Sequence, residues 1–139
     1  MKTKNFHIGI KAVIIKGNKA LILKEINKIG QEYYSLPGGR IDNGETIEQA
    51  LARELKEELG LEKFKLGKLL HVGERKDYGK KGISLMLVFY KVEADVSKII
   101  LSDEHVSFHW FSLKDLKRLV AGKVPINEHV IGTIENFLK

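Results

Sequence analysis

The sequence predicts an α+β protein, with strands, a helix, further strands and terminal helices arranged around a mixed sheet. Two kinds of observation carry this. Apolar runs bounded by turn residues mark strands, as at residues 6–16 and 83–93. A segment of helical period, residues 46–59, has a capping residue at its start and a glycine just past its end.

The elements follow in order. Residues 6–16 read as a strand, Gly17-Asn18 as a hairpin turn and residues 20–24 as the partner strand. Residues 27–32 read as a loop, and 33–36 as a short strand that stops at Pro37. A loop over 37–45 follows, holding Gly38, Gly39 and Gly44. Thr46 is the expected N-cap of the first helix, with Glu48 in an acidic first turn and Gly60 as a left-handed C-cap. Residues 64–76 and 83–93 form a long hairpin around 79–82, with Lys76, Lys80 and Lys81 as solvated cations at its tip. Residues 106–111 make another strand. Ser112 caps a helix reaching about Val120, and Gly122 and Pro125 break the chain. A last helix runs over about 127–137.

Composition narrows the function classes. A chain of 139 residues is read as one domain, 1–139, large enough to bury a core. There is no cysteine, which removes disulfides and thiolate metal sites and fits a cytoplasmic location. No apolar run approaches the roughly 20 residues of a membrane span, so no membrane partner is expected. The N-terminus carries Lys11 inside its apolar stretch and lacks a signal-peptide plan. The net charge of +6 draws in anions such as nucleotides. The lysines are scattered, with no arginine-rich groove, so a nucleic-acid partner is not expected. Oligomeric state is left open, a homodimer included.

The chemistry concentrates on the first helix. Glu54, Glu57 and Glu58 stand at i, i+3 and i+4. They fall within an arc of roughly 100°, and like charges at this spacing repel. The apolar face is Ile47, Leu51, Leu55 and Leu59, and Glu58 projects toward it. A carboxylate there must be neutral, paired or metal-bound. Oxygen-only ligands suit Mg²⁺ or Mn²⁺.

Residues 39–61 resemble the Nudix box, the signature of the Nudix hydrolases. That pattern is G, five residues, E, seven residues, then R-E-hydrophobic-x-E-E-x-G-hydrophobic. Gly39, Glu45, Arg53, Glu54, Leu55, Glu57, Glu58, Gly60 and Leu61 meet every fixed position. The resemblance implies an α/β/α sandwich and metal-dependent hydrolysis of a nucleoside diphosphate linked to another moiety. It implies Mg²⁺ or Mn²⁺ held by Glu54, Glu57 and Glu58, with backbone at Gly38 and Gly39 contributing. Arg53 and Glu45 are expected to pair and hold the loop against the helix.

Further residues are carried over by the same resemblance. Glu104 stands six positions before Trp110, as a catalytic glutamate does in MutT-type enzymes. Glu57 and Glu104 are therefore the two candidate general bases. Its neighbour His105 is read as an ordinary loop histidine. Asn127 either reads a purine base, as in MutT-type 8-oxo-dGTP enzymes, or caps the last helix after Pro125. Arg40 and Tyr34 are further substrate-binding candidates, with Tyr33, Phe89 and Tyr90 as other aromatics able to stack on a base. A small-molecule nucleotide is the expected partner. The leading expectation is a (d)NTP pyrophosphohydrolase of MutT type, acting on ordinary or oxidised nucleotides. ADP-ribose or dinucleoside polyphosphate hydrolysis, and a non-catalytic binding module, are the alternatives.

Overall fold

The computed structural model describes residues 3–75 and 81–138. Lys76 and Lys80, two of the three hairpin-tip cations, lie outside these residues. The described strands are β1 (Phe6–Val13), β2 (Ile15–Lys16), β3 (Lys19–Ile26), β4 (Glu32–Ser35), β5 (Gly38–Arg40), β6 (Phe64–Arg75), β7 (Ser84–Ala94) and β8 (His105–Phe111). The helices are α1 (Ile47–Leu59), α2 (Leu113–Ala121) and α3 (Glu128–Phe137).

The strands form two sheets. One is mixed, in the order β5-β1-β7-β6, with β1 parallel to β7 and the other pairs antiparallel. In the other, β3 pairs antiparallel with β2 and β4, and also with β8.

Period-two alternation sends neighbouring side chains to opposite faces. Ile10, Ala12, Ile14, Leu21 and Leu23 pack with Leu51, Leu55 and Leu59 of α1. Val13, Ala20, Ile22, Leu85, Leu87 and Phe89 pack with Leu116 of α2 and Val130 and Ile134 of α3. Helices thus cover both faces, giving the expected α/β/α layering. No described helix is long and apolar enough to cross a membrane.

Two local expectations are corrected. The predicted strand over 6–16 divides at Ile14, and only β2 forms the hairpin with β3; β1 belongs to the other sheet. An apolar run cannot show that its two ends serve different sheets. The predicted loop over 37–45 contains β5, which pairs Gly38 with Lys11 and Gly39 with Ile10. Gly38 has φ of 135°, and a Cβ there would stand 1.9 Å from the Ile10 carbonyl oxygen. Only glycine fits so close an approach, and a Gly-Gly pair gives no strand signal.

Candidate active site

Helix α1 is positioned by its own caps. The Thr46 hydroxyl accepts from Gln49 N at 3.2 Å, and Gln49 Oε1 accepts from Thr46 N at 3.0 Å. This reciprocal pair satisfies two amides that the helix leaves open. Gly60 closes the other end with φ of 68°.

Arg53 organises the outer half of the site. Its Nε donates to Glu45 Oε2 at 2.8 Å and its Nη2 to Glu45 Oε1 at 2.9 Å, a bidentate pair. Nη1 donates to Glu54 Oε1 at 2.7 Å, and Nη2 also reaches the Arg40 carbonyl at 3.0 Å. Glu45 Oε1 in turn accepts from Asp42 N at 2.8 Å, which folds the loop back on itself. The Arg53 bond, helped by the Asp42 amide, holds the Glu45 carboxyl down at about 2. The expected Arg53–Glu45 pair is therefore present, and the same guanidinium also aims Glu54.

Glu54 lies against Gly39, where an added Cβ would fall 2.4 Å from its Oε1. Burial pushes the Glu54 carboxyl up, opposed by the Arg53 bond and reinforced by the charges of Glu58 and Glu57. The Glu57 side chain is 61% exposed, with Arg53 Nη1 3.7 Å from its Oε2. The charges of Glu57 and Glu58 bear on Glu54, and a divalent cation would relieve that repulsion. Among the described residues, however, the ligand atoms that lie within 4.8 Å of one another are those of Glu25, Glu58 and His105 rather than of the expected Glu54, Glu57 and Glu58. The oxygen donors present fit a hard divalent cation.

The inner half centres on a residue the sequence undervalued. His105 belongs to β8 rather than to a loop, and its side chain is 1% exposed. Its Nε2 lies 2.6 Å from Glu25 Oε1 and 3.1 Å from Glu58 Oε2, and its Nδ1 lies 2.8 Å from the Ser102 hydroxyl. The bonds to Glu25 and Glu58 raise the imidazole to about 9, so it is an imidazolium at neutral pH. Burial alone would raise Glu25. The bonds from His105 and Tyr33, with the Lys11 charge, bring it down to about 2. Glu58 Oε1 also accepts from Gly38 N at 2.6 Å. The buried carboxylate on the apolar edge of α1 thus has a cationic partner and an amide.

Glu25, Glu58 and His105 offer three ligand-type atoms within 4.8 Å of one another, a grouping able to hold a cation. While protonated, His105 supplies the positive charge itself and has no ring lone pair left for a metal. No local motif marks Glu25, which lies 80 positions from its partner. For His105 the available signal was its place beside Glu104 at the start of a strand.

A cavity of about 850 Å³ opens beside Gly39. Gly9, Lys11, Leu85, Leu87 and Phe89 of the mixed sheet form one wall, and Tyr33, Tyr34 and Ser35 of β4 line another side. Residues 125–130, at the start of α3, line a further side. Arg40 and Asn127 both line it. Asn127 is also the N-cap of α3, its Oδ1 accepting from His129 N at 2.8 Å. Tyr34 lines the cavity while its ring packs edge-on against His109 and Phe111. Glu104 is exposed in the turn before β8, close enough for its charge to help raise the Tyr33 hydroxyl, an effect led by burial and the bond to Glu25.

Comparison with known proteins identifies the family. The family model described as NUDIX domain matches residues 5–131. An ADP-ribose pyrophosphatase of Methanocaldococcus jannaschii is 32% identical over 81% of this chain, and the match spans 65% of that protein. An RNA pyrophosphohydrolase of Wolbachia sp. subsp. Brugia malayi is 30% identical over 76% of the chain and 73% of its own length. An 8-oxo-dGTP diphosphatase of Buchnera aphidicola subsp. Schizaphis graminum is 33% identical over 99% of the chain and 98% of its own length. The fold is shared with a solved NUDIX hydrolase from Nitrosomonas europaea, at a TM-score of 0.78 and 24% identity over 94% of this chain and 87% of that one. The chain belongs to the Nudix hydrolases, enzymes that cleave pyrophosphate bonds in nucleoside diphosphate derivatives.

Proposed function

We propose that this chain, read as one domain over 1–139, is a (d)NTP pyrophosphohydrolase of MutT type, releasing a nucleoside monophosphate and pyrophosphate. The observation that carries this reading is the join between α1 and the cavity at Gly39, which sets Glu54 beside a pocket of about 850 Å³. That volume lies within the ordinary range for small-molecule sites. Support for the MutT type comes from the relative named an 8-oxo-dGTP diphosphatase, which aligns along 98% of its length. An ADP-ribose substrate is the second reading, favoured by the archaeal relative of that name.

In this reading Glu54, Glu57 and Glu58, with the backbone at Gly38 and Gly39, hold Mg²⁺ or Mn²⁺. When bound, such an ion neutralises phosphoryl oxygens and lowers the pKa of a bound water. The chain's own residues do the rest. Arg53 orients Glu54 and ties it to the loop through Glu45. His105 and Gly38 N–H fix the Glu58 carboxylate. Glu57 or Glu104 accepts the proton of the attacking water. Arg40, Tyr34 and Asn127 border the nucleoside. Water adds at phosphorus, the bridging oxygen leaves with pyrophosphate, and the proton passes to the base.

The test is a substrate panel with Mg²⁺ or Mn²⁺, read by product mass: dNTPs, oxidised dNTPs, ADP-ribose, diadenosine polyphosphates and a 5′-triphosphorylated RNA. Turnover of dNTPs or oxidised dNTPs to monophosphate and pyrophosphate is expected. Preferential turnover of ADP-ribose or RNA would replace this substrate assignment, and no turnover at all would leave only a binding module.

A further inference from the structure

Lys11 is a cation in the middle of an apolar strand. Its neighbours Ile10 and Ala12 are buried against α1. Lys11 itself is half-buried, lines the cavity, and stands opposite Phe89 on one side and Gly38 on the other. Its Nζ donates to the Leu36 carbonyl at 3.4 Å, beyond the usual range for such a bond. It makes no ion pair within 4 Å among the described residues. An ammonium held so loosely at the cavity wall, with Glu25 as its nearby counter-charge, has hydrogen-bonding capacity left for an anion in the cavity.

Two neighbours indicate what arrives. The Lys11 charge helps to hold Glu25 ionised, so the ammonium lies close to the acid that reaches Glu58 through His105. Lys11 therefore stands where the apolar part of the cavity joins the carboxylate cluster. Ser35 also lines the cavity, and its buried hydroxyl has no hydrogen-bond partner. It sits one residue before the carbonyl that Lys11 uses. An unpartnered hydroxyl just beneath the cavity wall is a donor that a small side-chain rotation would present to a ligand acceptor.

We infer that Lys11, assisted by the Ser35 hydroxyl, binds a phosphoryl oxygen on the nucleoside side of the bond that breaks, and so selects nucleoside 5′-phosphates over uncharged nucleosides. This rests on the proposed function and adds a specificity-determining residue to it. Arg40 also lines the cavity, but its guanidinium is engaged with His7 Nδ1 at 3.1 Å.

The experiment is calorimetric binding to the metal-free protein, with dGMP against deoxyguanosine and AMP against adenosine. Lys11→Met keeps the length and apolar stem of the side chain while removing its charge. It is expected to weaken monophosphate binding by about tenfold or more, the worth of one hydrogen bond to a charged group. Nucleoside binding should stay unchanged, and Lys11→Arg should recover most of the loss. Equal weakening of both ligands would place Lys11 against the nucleoside instead, and no change in either would reduce it to a structural residue; each overturns the inference. If Lys11→Met does not fold, Lys11→Gln makes the same comparison. A wild-type protein that binds none of the four ligands would overturn the inference, whereas the proposed function fails only if the metal-loaded protein turns over none of the substrate panel, which separates the two failures.

Discussion

Arg53 and His105 each hold two carboxylates, and they do so in opposite settings. The Arg53 network is local: its partners Glu45 and Glu54 lie 8 and 1 positions away, and the arginine side chain is 28% exposed. The His105 network is long-range and nearly dry, with partners on β3 and α1 and a side chain 1% exposed. The first shapes a loop against its own helix. The second ties a sheet to that helix. The comparison teaches that one acid row is served by two different cations: one holds Glu54 at the cavity edge, and the other fixes Glu58 beneath it.

The largest expected effect falls on the acid that neither cation holds tightly. Glu57→Gln should lower kcat by roughly 10²- to 10⁴-fold if Glu57 is the base, and Glu104→Gln should do so if it is not. Both side chains are exposed, so melting temperatures should stay near wild type. Wild-type turnover in both variants would remove these residues from the mechanism.

Next comes the buried network. His105→Ala leaves Glu25 and Glu58 without their counter-charge, and breaking a buried pair in this way costs about 3–5 kcal/mol. Chemical denaturation of the metal-free protein measures it. Adding Glu25→Gln should recover part of the loss, because one uncompensated charge is then gone. A loss below about 1 kcal/mol, the worth of an exposed pair, would erase the contrast between the two networks.

The smallest effect belongs to the Arg53 side and appears only in acid. Glu45 sits at about 2 in the folded chain, below the ordinary carboxyl value of 4.5. Its contribution to stability is therefore complete above about 4.5 and is lost as pH falls toward 2. Glu45→Gln should flatten the decline of the denaturation midpoint across that window and leave the neutral-pH slope alone. An unchanged acid slope would show that the bidentate pair contributes nothing to folding.

Legibility followed the same division. Thr46 and Gly60 were readable because helix caps depend on local spacing, and the Arg53–Glu45 pair was implied by the resemblance to the Nudix box. The position of Glu58 on the apolar edge was readable too, from helical period. What satisfies it was not: its imidazolium comes from a strand 47 positions later, beside an acid 80 positions earlier than His105. The strand at Gly38–Arg40 was hidden because two glycines carry no strand preference, although one of them is required by the approach of Ile10.

The sequence by itself carried the family signature as a pattern match, and it determined the amphipathic register of α1 and the three acids it presents, since these follow from helical periodicity and local hydrogen bonding. Only the tertiary structure decided that β1 and β2 part company at Ile14, that His105 is shared between Glu58 and Glu25, and that Lys11 borders the cavity. Those depend on strand pairing across long stretches of chain, which is set by the burial of whole faces and leaves no trace in the spacing of neighbouring residues.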